Sequence, residues 1–357
     1  MKRRPRLLAP AVAACAALLV LAACTETSPA APVPATAVAP AAAAVKAAPP
    51  AVPWHLADPA APIPLDQLPG YQPAQASGAG WSRLMTGSDG SLTWSVIGQN
   101  DEGGEISWGP VYSQVPGVLT FRGNAYRSAP SYGQPSVVER KLTIEWTHPI
   151  HAVNAFDGVW SGAGWTGQPL LVQWPQEAKA AMGLGQPFVS DPDFVEVIYP
   201  VFEGLIHRLD LRTGAVTKPA IEGSCPFKGT ASVDPRGYPL LYAGQGLPDR
   251  NGAICPWRYR IFDLIQNQEV SGWAGGDSDA PRAGWGAFDS SGLVDAASDH
   301  LFEGGENGLI YKAKLNASFD PAAGTVAVAP SLAKVRFRAP GSSRYGIESS
   351  IAAYRNI

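Results

Sequence analysis

The sequence predicts an all-β protein, a β-propeller of four-stranded antiparallel blades in which each module spans about 60 residues. Three observations lead to this fold class. The 357 residues include 38 Gly, 34 Pro and 11 Trp but only 16% charged residues, a composition typical of many short strands joined by turns. Short runs of β-branched and aromatic residues alternate with these turns. A pattern of aromatic, polar and small residues also recurs four times at an almost constant interval.

The recurring pattern sets the register of the modules. In each copy an aromatic residue comes shortly before a polar residue, which is followed by a small residue or a proline. The aromatic residues are Trp165, Phe227, Trp285 and Tyr345, and the polar residues are Gln168, Thr230, Asp289 and Glu348. The polar residues are 62, 59 and 59 positions apart, and an interval this regular indicates homologous modules packed side by side. Four strands in each module favour a propeller over a solenoid.

The most regular stretch is residues 195–216, which we predict to be a meander of three strands. Two runs rich in β-branched and aromatic residues are separated by a turn at 203–204, and a second turn follows at 212–214. The stretch resembles the repeat of the PQQ-like β-propeller family through Gly204, Leu205, Leu209, Asp210, Thr213 and Gly214. The resemblance implies a propeller fold. That family also includes quinone-dependent dehydrogenases, which bind pyrroloquinoline quinone (PQQ) and calcium in the central channel.

The N-terminus is predicted to be a bacterial lipoprotein signal. Four basic residues among the first six precede an apolar segment that ends in Leu-Ala-Ala-Cys, the sequence at which such signals are cut. We expect residues 1–23 to be removed and Cys24 to carry the lipid; the alternative is an ordinary export signal. Residues 24–63 are rich in Ala and Pro and are expected to form a disordered stalk. The mature protein would be extracytoplasmic, anchored to the outer face of the cytoplasmic membrane or to the outer membrane.

The rest of the chain divides into an irregular N-terminal extension, 64–140, and an incomplete PQQ-like propeller, 141–357. The extension contains predicted strands at 92–96 and 117–121. Residues 118–127 resemble the entry segment of bacterial propellers of the same family. Their two arginines beside a tyrosine could hold an anion, but a structural seam between the extension and the propeller is the favoured interpretation.

Both ends of the propeller segment have strands without obvious partners. Residues 142–149 are predicted to be an outer fourth strand, and residues 346–357 begin the first strand of a further blade. The third module is predicted to place its own fourth strand at 325–329. Three complete modules and one composite module are few for this fold, so we expect the chain to be part of a longer propeller of roughly six to eight blades.

Two cysteines, Cys225 and Cys255, remain after the signal and the lipidated cysteine are set aside. An isolated pair in an oxidising compartment is expected to form a disulfide. Neither cysteine lies in a Cys-x-x-Cys arrangement, and no histidine cluster is close in sequence, so no zinc site is predicted. The acidic residues at 277–279 and 303–308 do not complete a calcium-binding loop, and no metal ligand is assigned.

The polar residues of the recurring pattern are expected to surround one mouth of the propeller channel, with the aromatic residues just outside them. Aromatic faces beside amide and carboxylate groups suit a sugar, a cation or a peptide. The structural alternative is that the aromatic residues wedge neighbouring blades apart while the polar groups bond to the backbone at tight turns. Recurrence in every module favours this alternative, because a binding site usually breaks the symmetry of a repeat.

These features predict a binding or scaffolding module for protein, peptide or cell-wall glycan. The five histidines are scattered along the chain without a nucleophile motif, so we assign no catalytic residue and no cofactor. The alternatives are a quinoprotein-type dehydrogenase that uses PQQ and calcium, and a sensor domain for a small ligand. A formal charge of −3 without a long basic run argues against a nucleic-acid partner. The expected partners are the membrane, through the lipid, and an envelope protein or glycan.

Overall fold

The structure, a computed structural model, describes residues 93–98, 108, 111–133, 138, 140–156, 158–163, 167–338 and 345–353. The predicted signal 1–23, Cys24, the stalk 24–63 and Trp165 lie outside the described residues. All described residues belong to one unit of the chain, Pro49–Ile357. Within the described ranges no helix is long and apolar enough to cross a membrane.

The described chain is all-β apart from one short helix. The helix, α1 (Gln176–Ala181), begins after Pro175, whose fixed φ suits a helix start, and has Glu177 in its first turn. The strands are β1 (Thr93–Gly98), β2 (Gly117–Val118), β3 (Val153–Ala155), β4 (Gly158–Trp160), β5 (Leu170–Val172), β6 (Glu196–Pro200), β7 (Leu205–Asp210), β8 (Ile221–Glu222), β9 (Ser232–Val233), β10 (Leu240–Gly244), β11 (Asp249–Arg250), β12 (Ala253–Ile254), β13 (Arg258–Asp263), β14 (Gln268–Ala274), β15 (Leu293–Asp295), β16 (His300–Gly304), β17 (Leu309–Lys314), β18 (Ser318–Asp320), β19 (Thr325–Ala327) and β20 (Ser331–Arg338).

The strands form three larger sheets and three separate hairpins. The first sheet has the order β2-β5-β6-β7-β8, the second β14-β13-β10-β9 and the third β1-β20-β17-β16-β15. The hairpins are β3–β4, β11–β12 and β18–β19. Every neighbouring pair in the three sheets is antiparallel, which confirms the predicted all-β antiparallel class.

Two hydrophobic clusters hold the three sheets together. The first lies between the first and second sheets and includes Ile198 and Phe262. The other lies between the second and third sheets and includes Tyr259 and Tyr311. Because each central strand is covered on both faces, it is an almost continuous run of buried residues, as in β16. The sheets are therefore stacked face to face, each one burying the side chains of the next.

The predicted repeat interval is also visible in space. The Gln168 amide donates to Thr230 Oγ1 at 2.9 Å, across an interval of 62 residues. Ser232 Oγ lies 3.1 Å from Ser291 Oγ, and the Ser291 amide donates to Ser350 Oγ at 3.0 Å, each across 59 residues. Residues one repeat apart are thus direct neighbours at the inner ends of the sheets.

A buried arginine of the extension closes this inner region. The Arg127 guanidinium donates to Thr120 Oγ1 at 2.6 Å, to the Ser291 carbonyl at 2.8 Å and to the Ile351 carbonyl at 2.7 Å. Ser232 Oγ is 3.2 Å from the same Thr120 hydroxyl. Burial lowers the pKa of Arg127 to about 10, so the guanidinium stays charged at neutral pH. Arg127 therefore joins the extension to the sheets, as the structural interpretation of residues 118–127 expects. We call Arg127, Thr120, Ser232, Ser291 and Ile351 the arginine hub.

The prediction of an outer strand at 142–149 is wrong. These residues have no strand hydrogen bonds, although they run along the end of the first sheet. Trp146 Nε1 donates to the Leu211 carbonyl at 2.9 Å, and the indole covers Gly214 so closely that a Cβ there would lie 2.6 Å from the ring. The side of β7 that faces away from β6 is already paired with β8 and with Val216, so residues 142–149 cannot pair with β7 there.

The fourth strand of the third sheet is also not at 325–329. β19 pairs with β18 in a separate hairpin, where Phe319 packs on Tyr238 with ring centroids 5.9 Å apart. β20 takes the fourth position instead, because it can pair with β17 over six residues. The predicted strand of the extension at 92–96 is present as β1, which pairs with the outer edge of β20.

The predicted strand at 346–357 is not formed in the part of it that the structure describes, residues 346–353. This segment makes isolated backbone bonds instead. The Ile347 amide donates to the Gly305 carbonyl at 3.2 Å, and the Ala353 amide donates to the Ala125 carbonyl at 2.9 Å. Bonds that alternate between two different segments do not build a ladder, so no strand results.

A buried ion pair joins the first sheet to the second. Glu196 and Arg208 face each other on β6 and β7 with two N–O distances of 3.0 Å, and both side chains are fully buried. The carboxylate also accepts hydrogen bonds from Trp174 and Thr217, and Arg208 donates to the Leu264 carbonyl at the end of β13. Every charged atom of the pair therefore has a partner, which a buried pair requires.

We expect Arg208→Met to lower the free energy of unfolding by roughly 3 to 5 kcal/mol, because it leaves the Glu196 carboxylate buried without its cation. The matched control is Arg212→Met, which removes the exposed pair with Asp191 and should change stability by less than about 1 kcal/mol. Urea unfolding of the two variants measures the difference. Equal losses in both variants would contradict a structural role for the buried pair.

Candidate functional site

The predicted polar ring is only partly accessible. Its neighbouring members lie close together, as the contact between Gln168 and Thr230 shows, and Gln168 Oε1 also accepts from the Arg122 amide at 3.2 Å. Thr230 and Asp289 are each 4% exposed, whereas Glu348 is exposed. Thr230 and Asp289 therefore face the interior, where they bond to neighbouring residues.

The four predicted aromatic residues have different surroundings. Phe227 is buried in the first hydrophobic cluster, where its ring meets that of Phe262 at 6.1 Å, so it is a core residue and cannot touch a ligand. Tyr345 is half-buried beside Gly308. Trp285 is half-buried and lies at the surface, while Trp165 is outside the described residues. The structural alternative thus holds for Phe227, whereas the ring of Trp285 is partly exposed at the surface.

Trp285 is the centre of a surface cluster whose other two members do not belong to the recurring pattern. Phe156 lies edge-on to Trp285 with ring centroids 5.5 Å apart, and Trp257 lies on another side at 5.0 Å. Phe156 is 49% exposed and the two indoles are half-buried. We call Phe156, Trp257 and Trp285 the aromatic platform. It joins three segments that are far apart in sequence, one from a hairpin, one preceding β13 and one between β14 and β15.

Two hairpins hold Phe156 in place. Phe156 occupies the turn of β3–β4 with a φ of 42°, a conformation that costs energy for a non-glycine residue unless its surroundings impose it. Its amide donates to Asp249 Oδ1 at 2.7 Å. The adjacent Asn154 and Asn251 exchange hydrogen bonds of 3.0 and 2.7 Å. The β3–β4 hairpin is thereby fixed to the β11–β12 hairpin, and Phe156 is directed at Trp285.

The expected disulfide between Cys225 and Cys255 is present and holds the second hairpin. It links the connection before β9 to the insertion that carries β11 and β12, two residues before Trp257. Gln245, which is fully buried, donates to the Cys255 carbonyl at 3.0 Å and to the Leu247 carbonyl at 2.9 Å. Both ends of the insertion are therefore fixed, and with them the position of Trp257.

Charged side chains lie directly beneath the platform. Trp285 Nε1 donates to Glu306 Oε2 at 2.6 Å. Lys228 forms an ion pair with Asp289 and lies 3.7 Å from Glu306 Oε1. Asp289 and Glu306 are both almost fully buried, and their two carboxyl groups interact with each other. One lysine thus faces two carboxyl groups, with Glu348 also contributing to its electrostatic environment.

Burial and the repulsion of Glu306 raise the pKa of Asp289 to about 7. Burial opposes the charge on Lys228, but the hydrogen bond and the attraction of Asp289, followed by the attraction of Glu306, outweigh it and raise the pKa of Lys228. At neutral pH the site therefore holds a cationic lysine beside an Asp289 carboxyl group that is only partly ionised.

Three of the five histidines, which are scattered in sequence, meet around Glu203. His207 Nε2 is 2.5 Å from Glu203 Oε1, and His151 Nδ1 is 3.0 Å from Glu203 Oε2. His148 Nε2 is 3.0 Å from His207 Nδ1. Hydrogen bonds from His151 and His207 outweigh the effect of burial and lower the pKa of Glu203. These four residues, the histidine cluster, anchor the segment that leads into the hairpin of Phe156.

The histidine cluster does not form a metal centre in this structure. Among the described residues, no group of three or more His, Cys, Asp or Glu side chains is arranged to hold a metal ion. In the described part of the chain, the side-chain hydrogen bonds of the cluster join the three histidines to Glu203 and to one another. Its observed role is to bind residues 148–151 to the turn between β6 and β7.

Neither the aromatic platform nor the histidine cluster has a strong signal in sequence. Phe156 and Trp257 lie in insertions outside the repeats, and His148 and His207 are 59 residues apart. The one usable signal is the predicted Cys225–Cys255 disulfide, because Cys255 lies two residues before Trp257.

No family model matches the chain, and no curated protein matches it. Among solved structures, the chain is similar to the crystal structure of BamB from Moraxella catarrhalis, with 13% sequence identity and a TM-score of 0.18. The alignment covers 52% of this chain and 62% of that chain. At this TM-score the likeness says nothing about activity, and the function is inferred from the geometry of the site.

Reduction of the disulfide should lower the melting temperature by roughly 10 °C, because the bond closes a loop with a sequence separation of 30 and contributes roughly 3 to 4 kcal/mol. Thermal unfolding with and without a reductant measures the effect. In the control, a double variant with Cys225→Ser and Cys255→Ser should melt at the lower temperature under both conditions. An unchanged melting temperature on reduction would count against a stabilising bond.

The histidine cluster should make stability depend on pH. Burial and the charge of His207 lower the pKa of His148 below its ordinary value of 6.5. The unfolded chain then binds the proton more readily than the folded chain, so the stabilisation from neutral His148 is complete above about pH 6.5 and is lost as the pH falls. Between about pH 7.5 and 5.5, wild type should lose more stability than His148→Gln.

Melting temperatures at a series of pH values test this expectation. The raised pKa of Asp289 acts in the opposite direction, but it is common to both proteins and cancels in the comparison. Arg212→Met is the control, because this exposed side chain lies outside the histidine cluster and its loss should leave the wild-type pH curve unchanged in shape. Parallel pH curves for wild type and His148→Gln would refute the assignment.

Proposed function

We propose that the chain forms part of a β-propeller that works outside the cytoplasm as a membrane-anchored binding or scaffolding module for protein, peptide or cell-wall glycan. The observation that carries this proposal is the aromatic platform. Phe156, Trp257 and Trp285 come from three distant segments, yet they meet at one surface position above a charged floor.

The propeller assignment is supported by how the sheets meet. The three sheets stack face to face, and residues one repeat apart touch at the inner ends. The extension also supplies a strand at each side of the stack, since β2 joins the inner edge of the first sheet and β1 the outer edge of the third. Strands exchanged between the chain ends and distant sheets are typical of propellers, whose blades leave only short protected edges.

The binding role is supported by the exposure and the rigidity of the platform. Partly exposed aromatic rings in one cluster mark a recognition surface, because single exposed apolar residues are common but clusters are not. The disulfide and the paired hairpins fix two of the three rings before a ligand arrives. A surface organised in advance loses little side-chain entropy on binding, which favours affinity.

The dehydrogenase alternative is less favoured by the arrangement of the described residues. A quinone in a central channel needs room for a planar ring system where the inner strands meet. In this chain Arg127 fills that region and bonds to Thr120 and to the Ser291 carbonyl. The carboxyl groups of Asp289 and Glu306 are buried beneath Trp285, where a substrate cannot touch them without rearrangement.

We expect Trp285→Ala to weaken binding of the best ligand from an array of peptides and cell-wall oligosaccharides by at least about 10-fold, because a buried aromatic anchor typically dominates such a site. The matched control is Trp146→Ala, which removes a half-buried tryptophan beside Gly214, at the far end of β7 from the platform. Titration of both variants, with circular dichroism to verify folding, gives the comparison. An equal effect of the two substitutions would contradict the proposed site.

A further inference from the structure

One residue of this chain already sits on the aromatic platform as a ligand would. The Arg282 guanidinium carbon lies over the Trp285 ring, 4.7 Å from the ring centroid, in the geometry of a cation–π contact. Arg282 and Trp285 belong to one tight turn, in which the Trp285 amide donates to the Arg282 carbonyl at 3.0 Å. The side chain therefore reaches the ring without any rearrangement of the fold.

Arg282 is held there only weakly. Its side chain is exposed, and within the described part of the chain no carboxylate lies within ion-pair distance of its guanidinium. Its remaining bond comes from the backbone, where the amide donates to the Asn307 carbonyl at 3.0 Å. The turn can thus stay in place while the side chain swings into solvent, which makes Arg282 a displaceable occupant.

The floor of the platform favours a cation in the same position. Because Trp285 Nε1 donates to the buried Glu306 carboxylate, electron density is drawn towards the indole ring, and the ring face becomes more attractive to a positive charge. Beneath the ring, Lys228 faces the carboxyl groups of Asp289 and Glu306, and the Glu306 carboxylate is the one bonded to the indole. The carboxylate nearest the ring thus repels an anionic ligand and attracts a cation.

The shape of the platform favours arginine over a compact cation. A guanidinium is planar and weakly hydrated, so it stacks on an indole at a smaller cost in solvation than an ammonium group. Phe156 and Trp257 stand on two sides of Trp285, with centroid distances of 5.5 and 5.0 Å, and offer apolar walls to a methylene stem.

We propose that the aromatic platform recognises an arginine-bearing segment of a protein partner, and that Arg282 occupies the cation position until the partner's arginine displaces it. This inference rests on the proposed binding function and names the class of ligand for the same site. It also gives Arg282 a role. In the absence of a partner, this side chain covers the platform and protects it from nonspecific apolar contacts.

The test uses the full chain and a fluorescently labelled peptide of alternating glycine and arginine, followed by anisotropy. A matched peptide replaces arginine with citrulline, which keeps the shape and hydrogen bonds but has no charge. We expect the arginine peptide to bind at least about 5-fold more tightly than the citrulline peptide. Arg282→Ala should strengthen arginine-peptide binding by about 2- to 5-fold, because the competing occupant is gone, and Trp285→Ala should weaken it by about 5-fold or more.

Arg212→Ala is the control, since it removes an exposed arginine at the far end of β7 and should leave the affinity unchanged. Arg282→Ala changes an exposed side chain, so a change in its affinity for the peptide does not reflect misfolding.

Equal binding of the two peptides, or an affinity that is unchanged or reduced in Arg282→Ala, would overturn the inference. A third outcome separates the inference from the proposed function. If a glycan or protein binds through Trp285 but the arginine peptide does not compete with it, the inference is overturned and the proposed function stands. If Trp285→Ala leaves the affinity for every ligand unchanged, the proposed function itself is contradicted.

Discussion

The arrangement of the sheets depends on one buried cation. Arg127 donates to an oxygen of Thr120, of Ser291 and of Ile351, three segments that no local turn could bring together. A buried guanidinium without these acceptors would be strongly unfavourable, so the acceptors must stay where they are. The inner ends of the second and third sheets are thereby fixed in register to the extension. The repeats supply similar sheets, and the arginine hub determines how they are held at the centre.

The candidate site is built on that frame by parts that do not repeat. The segment after residue 140 passes the end of the first sheet, is anchored by His148 and His151, and then delivers Phe156 to a tryptophan preceding the third sheet. The disulfide-linked insertion delivers Trp257 to the same place. A symmetric scaffold therefore carries an asymmetric surface, which is how repeat proteins commonly acquire specificity for one partner.

The sequence allowed the repeated part of the fold to be predicted and the site only in part. The strands within 195–216 follow from apolar runs and turn residues, and the repeat interval follows from Gln168, Thr230, Asp289 and Glu348. The same regularity does not identify the site. It predicts that every recurring aromatic residue lies at the channel mouth, but Phe227 is buried between two sheets. Tertiary contacts decide the rest, since nothing local shows that Trp146 would pack on the turn at Gly214 while residues 142–149 form no strand.

The pairing of β1 with β20 has a consequence for the order of folding. Thr93 pairs with Arg338, so one of the earliest strands to be synthesised finds its partner only after nearly the whole described chain has been made. Until then β1 is an unpaired strand with free amide and carbonyl groups, and β17 lacks its outer neighbour. The nascent chain must therefore spend a long interval with open sheet edges, and it needs protection from self-association for as long as synthesis lasts.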